Sequence, residues 1–102
     1  MTLFTEKVIS IIRSIPESKV MTYGQIAKHA GSPRGARQVV RILHAMSKKY
    51  KLPWHRVVNI RGEISIADDE SYELQLFLLR AEGVDIKQDR FINLGQYQHH
   101  PE

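Results

Sequence analysis

Four chain breaks in the first 35 residues, at Pro16, Thr22-x-x-Gln25, Gly31 and Ser32-Pro33, allow only short helices that must pack on one another. Phe4, Val8, Ile11, Ile12 and Ile15 recur at spacings of 4, 3, 1 and 3, one stripe of an amphipathic helix that Pro16 ends. Thr22 and Gln25 read as a capping box opening a second helix over about 22–30, with Ile26, Ala27 and Ala30 inward and Gly31 as its stop. Ser32-Pro33 reads as an N-cap followed by proline at the first helical position, where its missing N–H costs nothing, and the third helix is expected to run to about Met46. Two helices joined at Gly31-Ser32 form a helix-turn-helix pattern.

The third helix divides sharply into faces. Ala36, Val39, Val40, Leu43 and Met46 are expected to face the core, while Arg34, Arg37, Arg41 and His44 fall within an arc of roughly 80° at about 100° per residue. A solvated face without a partner usually mixes signs in i,i+4 pairs, and this helix carries no acid. The same asymmetry extends along the chain. Residues 1 to 61 hold 12 Lys+Arg against 2 Asp+Glu, and residues 62 to 102 hold 3 against 9, so the net charge of +4 hides a half suited to a polyanion.

With 102 residues, 42% of them hydrophobic, the chain is expected to form one domain over 1–102 with a modest core. It has no cysteine, hence no disulfide or thiolate metal site, and no basic leader or long apolar run, so a cytoplasmic protein without membrane contact is expected. His99-His100 lies in a polar tail and the other histidines are scattered, so neither a metal nor a cofactor is expected. Val57 to Ile60 and Ile64 to Ile66 read as a hairpin around Arg61-Gly62. Asp68, Asp69 and Glu70 suit the positive end of a final helix, whose broad buried face is expected to include Tyr72, Leu74, Leu76, Phe77, Leu78, Leu79 and Ala81 before Gly83 ends it. From Val84 onward the pattern is weak, with Phe91, Ile92 and Leu94 as a short strand or strap. The expected class is α+β, mostly helical, a winged-helix-like DNA-binding domain with a helix-turn-helix and a small β-hairpin.

Several motifs, in order, carry a resemblance. Pro53-Trp54-His55-Arg56-Val57 resembles the Pro-Cys-His-Arg-Val signature of the O6-alkylguanine-DNA alkyltransferases, with Trp54 where their nucleophilic cysteine stands. Thr22-Tyr23-Gly24-Gln25-Ile26-Ala27 looks like that family's first helix-turn-helix segment, Gly35-Ala36-Arg37-Gln38-Val39 like its recognition helix, and Leu79-Arg80-Ala81-Glu82-Gly83 like its glutamate motif. The match spans about residues 20 to 84 and is that of the alkyltransferase-like proteins, which keep lesion reading and lack the chemistry. An indole nitrogen is a donor only and cannot accept an alkyl group as a thiolate does.

The resemblance implies a non-enzymatic protein that binds and flips O6-alkylguanine in duplex DNA and flags it for nucleotide excision repair proteins, as a monomer. It implies DNA contacts from Thr22, Tyr23, Arg34, Gly35, Ala36, Arg37, Gln38 and Arg41, with Arg37 inserted from the minor groove because a planar guanidinium can stack and hydrogen-bond at once. It implies a lesion pocket of Tyr23, Trp54, His55 and Val57, the last offering its carbonyl, and a relay remnant of His55 and Glu82 with a structural role. Arg56 is expected to brace the fold, and Met46 stands where the family commonly has an asparagine tying the recognition helix to the active-site loop. The alternatives are a winged-helix transcription regulator reading base edges without lesion preference, and a hydrolase or glycosylase using His55 and Glu82, for which no nucleophile is evident.

Overall fold

The computed structural model describes residues 1–101. Helix α1 (Leu3–Arg13) is capped by Thr2 and buries Val8, Ile9 and Ile12, and Ile15 follows into the same core. Strand β1 (Met21–Thr22) leads directly into helix α2 (Tyr23–His29), and helix α3 (Ala36–Met46) packs on both α1 and α2. Val39, Ile42 and Leu43 of α3 close this first cluster against Val8, Ile12, Met21 and Ile26. The second cluster lies under helix α4 (Asp69–Ala81) and joins Leu76 and Leu79 to Val20, Val58, Ile64, Val84, Ile86 and Ile92.

The capping box forms: Thr22 Oγ1 accepts from the Gln25 amide at 3.1 Å, and Gln25 Oε1 accepts from the Thr22 amide at 3.3 Å. Thr22→Ala leaves the Gln25 amide without its acceptor and should cost about 1 kcal/mol in urea unfolding. An unchanged midpoint would show that the cap contributes nothing.

Three expectations are corrected. Ser32-Pro33 ends α2 instead of starting α3. The Ser32 amide donates to Ala27 O and the Gly31 amide to Lys28 O, a Schellman motif around Gly31 at φ +99°. Ser32 O then closes a turn on the Gly35 amide, so Gly35 is the N-cap of α3 without a side-chain cap bond, and Arg34 lies in the turn ahead of the helix. Second, residues 57–66 do not pair as a hairpin. Strand β2 (Val57–Val58) instead pairs parallel with β1 in the register Met21↔Val57. Residues 62–64 bond to 90–92 through Ile92 N to Gly62 O and Ile64 N to Arg90 O, and the antiparallel hairpin is β3 (Ile86–Lys87) with β4 (Phe91–Ile92). The Arg61-Gly62 turn is present, and the cross-chain approach needs its glycine: at φ +75°, a Cβ on Gly62 would lie 2.4 Å from Ile92 O.

Third, the apolar faces are narrower than their composition. Val40 is 45% exposed while Ile42 is buried, and on α4 Leu74 and Phe77 are 47% and 66% exposed and Ala81 is also exposed, while Gln75 is buried. A helix on one edge of so small a core can bury only the stripe it turns inward. The weakly patterned tail adopts a short helix α5 (Leu94–Tyr97) and then runs along β1, with Val20 N donating to Tyr97 O and His99 N to Val20 O. No helix among the described residues is long and apolar enough to cross a membrane.

Candidate nucleic-acid interface

Arg37, Gln38 and Arg41 project from the exposed side of α3, with Arg34 exposed in the preceding turn. The ion pairs among the described residues are His55–Glu82, Arg56–Glu82, Arg80–Asp89 and Lys87–Asp85, so none of these three arginines is neutralised by them. Ala36 is half-buried and Gly35 buried; a Cβ on Gly35 would come within 3.1 Å of Phe4 Cζ and of Ser32 O. The room around Gly35 is thus taken up by the protein itself. Thr22 is buried and its hydroxyl serves as the α2 cap.

The parallel β1–β2 pairing sets the start of α2 beside the 3₁₀ turn Trp54–Arg56 that runs into β2. Tyr23 and Trp54 consequently share the wall of one open cavity of about 480 Å³. Its other walls come from Val40, Leu43 and His44 of α3 and its C-cap Ser47, from Ser65, Ile66, Ala67 and Asp68 ahead of α4, and from Ser71. Burial pushes the Tyr23 phenol above its ordinary value of 10, so its hydroxyl stays protonated and able to donate. The half-buried Trp54 also packs on the first core cluster and meets His55 edge-on, ring centroids 6.3 Å apart.

His55 and Val57 are not on this lining. The His55 ring turns away to Glu82, Nε2 to Oε2 at 2.7 Å, and Arg56 grips the same carboxylate through Nε and through Nη2 at 2.7 Å while Nη1 donates to Ile15 O at 2.8 Å. The Ser18 amide donates to Glu82 Oε1 at 3.0 Å, and the Ser18 hydroxyl to Glu82 O. Burial pushes the Glu82 carboxyl up, but the bonds from Arg56, His55 and the Ser18 amide, with the charge of His55, outweigh it and bring it from 4.5 to about 2. This cluster fixes the loop beneath Trp54, and its one hydroxyl, that of Ser18, donates to a backbone carbonyl and not to His55.

Sequence reasoning overlooked Gln75. Its buried side chain donates from Nε2 to His55 O at 3.1 Å and to Val57 O at 3.0 Å, so α4 holds the loop through the carbonyl expected to be offered to a base. A lone amide inside an otherwise apolar helix stripe was the available signal. Met46, in the register of the family's asparagine, is half-buried and packs on the first cluster. The 65–68 segment reads only as the end of a strand and the start of a helix, and nothing local in it signals the cavity, which it reaches through the fold. Among the described residues no group of three or more His, Cys, Asp and Glu is placed to hold a metal.

A helix-turn-helix with an unneutralised cationic helix beside a cavity is the build of a DNA-binding domain. Residues 3–84 match the family model described as 6-O-methylguanine DNA methyltransferase, DNA binding domain. The chain belongs to that family and resembles its alkyltransferase-like members, and it has no cysteine. It is 44% identical over 95 residues to the DNA base-flipping protein of Escherichia coli, covering 93% of this chain and 73% of that protein. To Alkyltransferase-like protein 1 of Schizosaccharomyces pombe it is 42% identical over 96 residues, 93% of this chain and 86% of that protein. The crystal structure of S. pombe Atl1 in complex with damaged DNA containing O6-carboxymethylguanine has the same fold, with a TM-score of 0.87 at 39% identity over 96% of this chain and 95% of that one.

Proposed function

We propose that this protein binds duplex DNA, turns an O6-alkylated guanine out of the stack into the cavity between Tyr23 and Trp54, and holds it with its alkyl group intact. The observation that carries this reading is Trp54 itself: an unreactive ring in the family's nucleophile position, forming part of the wall of a cavity that adjoins the cationic helix. The relatives support it, since one is named for base flipping and another has been crystallised on DNA with an O6-alkylated guanine. Flipping costs a few kcal/mol, and less for a guanine that already pairs poorly. Stacking on the indole returns about 1–3 kcal/mol, so the difference in pairing and the cavity together favour the lesion.

In this scheme Arg37 enters from the minor groove to fill the vacated stack, and Tyr23 crowds the backbone beside the lesion and meets the flipped base with its hydroxyl. Arg34, Gln38 and Arg41 track phosphates, and Thr22, Gly35 and Ala36 hold α2 and α3 close to the duplex. His55 and Glu82 serve the loop and not the reaction. Val57 O accepts from Gln75 through one lone pair and keeps the other for a donor on the flipped base, beside the cavity walls. The persistent complex is then the signal to nucleotide excision repair proteins, delivered by a monomer.

Gel shifts with paired duplexes that differ only in guanine or O6-methylguanine test this reading, with the masses of DNA and protein taken afterwards. A lesion preference with both masses unchanged is expected. Equal affinity would instead point to a sequence-reading regulator, and a lost methyl or a protein adduct to an enzyme. Arg34→Ala and Arg41→Ala should each weaken both duplexes alike and reduce the slope of log K against log salt by about one. Unchanged slopes would remove these residues from the interface.

A further inference from the structure

The cavity wall includes one side chain with a fixed charge, Asp68. The rest of the lining is aromatic, aliphatic, hydroxyl-bearing or, at His44, imidazole. Asp68 is the N-cap of α4, and its Oδ2 accepts both the Ser71 amide at 2.9 Å and the Ser71 hydroxyl at 2.7 Å, so Oδ1 keeps its lone pairs for solvent or a ligand. Those bonds, the hydroxyl's first and the amide's second, hold the carboxyl below its ordinary value, and it is ionised at neutral pH. The positive end of α4 offers an anion little here, because Asp68 takes the Ser71 amide and Asp69 and Glu70 occupy the first turn.

We infer that Asp68 makes this cavity selective for the charge of the alkyl group, favouring O6-alkylguanines whose chain ends in a cation and disfavouring those that end in a carboxylate. The inference rests on the cavity being the lesion site. O6-carboxymethylguanine, the adduct in the S. pombe complex, is anionic and is therefore expected to be among the more weakly held adducts here. The DNA phosphates are present in free and bound duplexes alike, and the α3 cations in every complex, so the part played by Asp68 is read from the change in the series when it is substituted.

The test uses four duplexes of one sequence, carrying guanine, O6-(2-aminoethyl)guanine, O6-(2-hydroxyethyl)guanine or O6-carboxymethylguanine. The three adducts are close in size and differ in charge. For a unit charge at about 6 Å in a largely solvated setting, the aminoethyl duplex should bind about threefold tighter than the hydroxyethyl one, and the carboxymethyl duplex about threefold weaker. Both factors should shrink as salt is raised. Asp68→Asn keeps an N-cap of equal quality and should bring the three affinities together; Asp68→Ser offers a second capped variant. Asp85→Asn, which removes a carboxylate that is not on the cavity lining, should leave the series as in the parent. Three adducts bound alike, yet all more tightly than guanine, would overturn the inference and leave the lesion reading standing. A charge series that survives Asp68→Asn and Asp68→Ser would overturn the assignment to Asp68. No preference for any adduct over guanine would overturn the lesion reading itself.

Discussion

Replacing Glu82 with alanine is expected to lower the unfolding free energy by about 2–4 kcal/mol, because it strands the Arg56 guanidinium in a largely enclosed site with only Ile15 O as partner. The same change releases the Ser18 amide, which Glu82 holds in a left-handed conformation at φ +69° that a residue with a side chain adopts at a cost. It also frees the His55 ring and so loosens the turn that carries Trp54. The pH dependence follows from the depressed carboxyl at about 2. Its stabilising contribution is complete above the unfolded value near 4.5 and is lost as pH falls through the folded value, so parent and Glu82→Ala should converge between pH 4.5 and about 2. Urea unfolding across that range measures it. A constant difference at every pH would mean that the carboxylate charge is not what stabilises the loop.

Trp54→Ala is expected to reduce the preference for O6-methylguanine over guanine by about tenfold or more, the equivalent of the 1–3 kcal/mol typical of stacking one base on an aromatic ring. Affinity for the undamaged duplex, supplied by phosphate contacts, should fall far less. The ring also packs on the first cluster, so binding has to be compared at a temperature where the variant is shown to be folded. Replacement by phenylalanine restores an aromatic face and should recover part of the preference. A Trp54→Ala protein that discriminates as well as the parent would place lesion reading elsewhere.

The helix-turn-helix was legible because its signals are local. The Thr22–Gln25 box and the glycine stop at Gly31 act within a few residues, and both take their expected forms. The glutamate motif was legible through family likeness, and the His55–Glu82 contact at 2.7 Å follows it. What the sequence concealed is non-local. Val57-Val58 has the composition of a hairpin strand, but its partner is β1, some 36 positions earlier, and no turn signal marks a parallel pairing. Leu74 and Phe77 look like core residues in composition, yet α4 lies at an edge and turns them outward. The tail carries little apolar period because mixed contacts attach it: backbone bonds to Val20, the Gln25 side chain to His99 O, and only Leu94 and Tyr97 on the second cluster. The cavity shows the same limit: Trp54 and Tyr23 stood out as motif residues, whereas His44, Ser65 and Asp68 join them only once three separate segments converge.

The sole tryptophan of the chain is Trp54, so its emission reports on the cavity without labelling. Titrating the protein with two duplexes identical except for guanine or O6-methylguanine asks most directly whether a damaged base is placed against that ring. A saturable change in emission with the lesion duplex, at concentrations where the undamaged duplex produces little, is the expected result. Superimposable titrations of the two duplexes would contradict it.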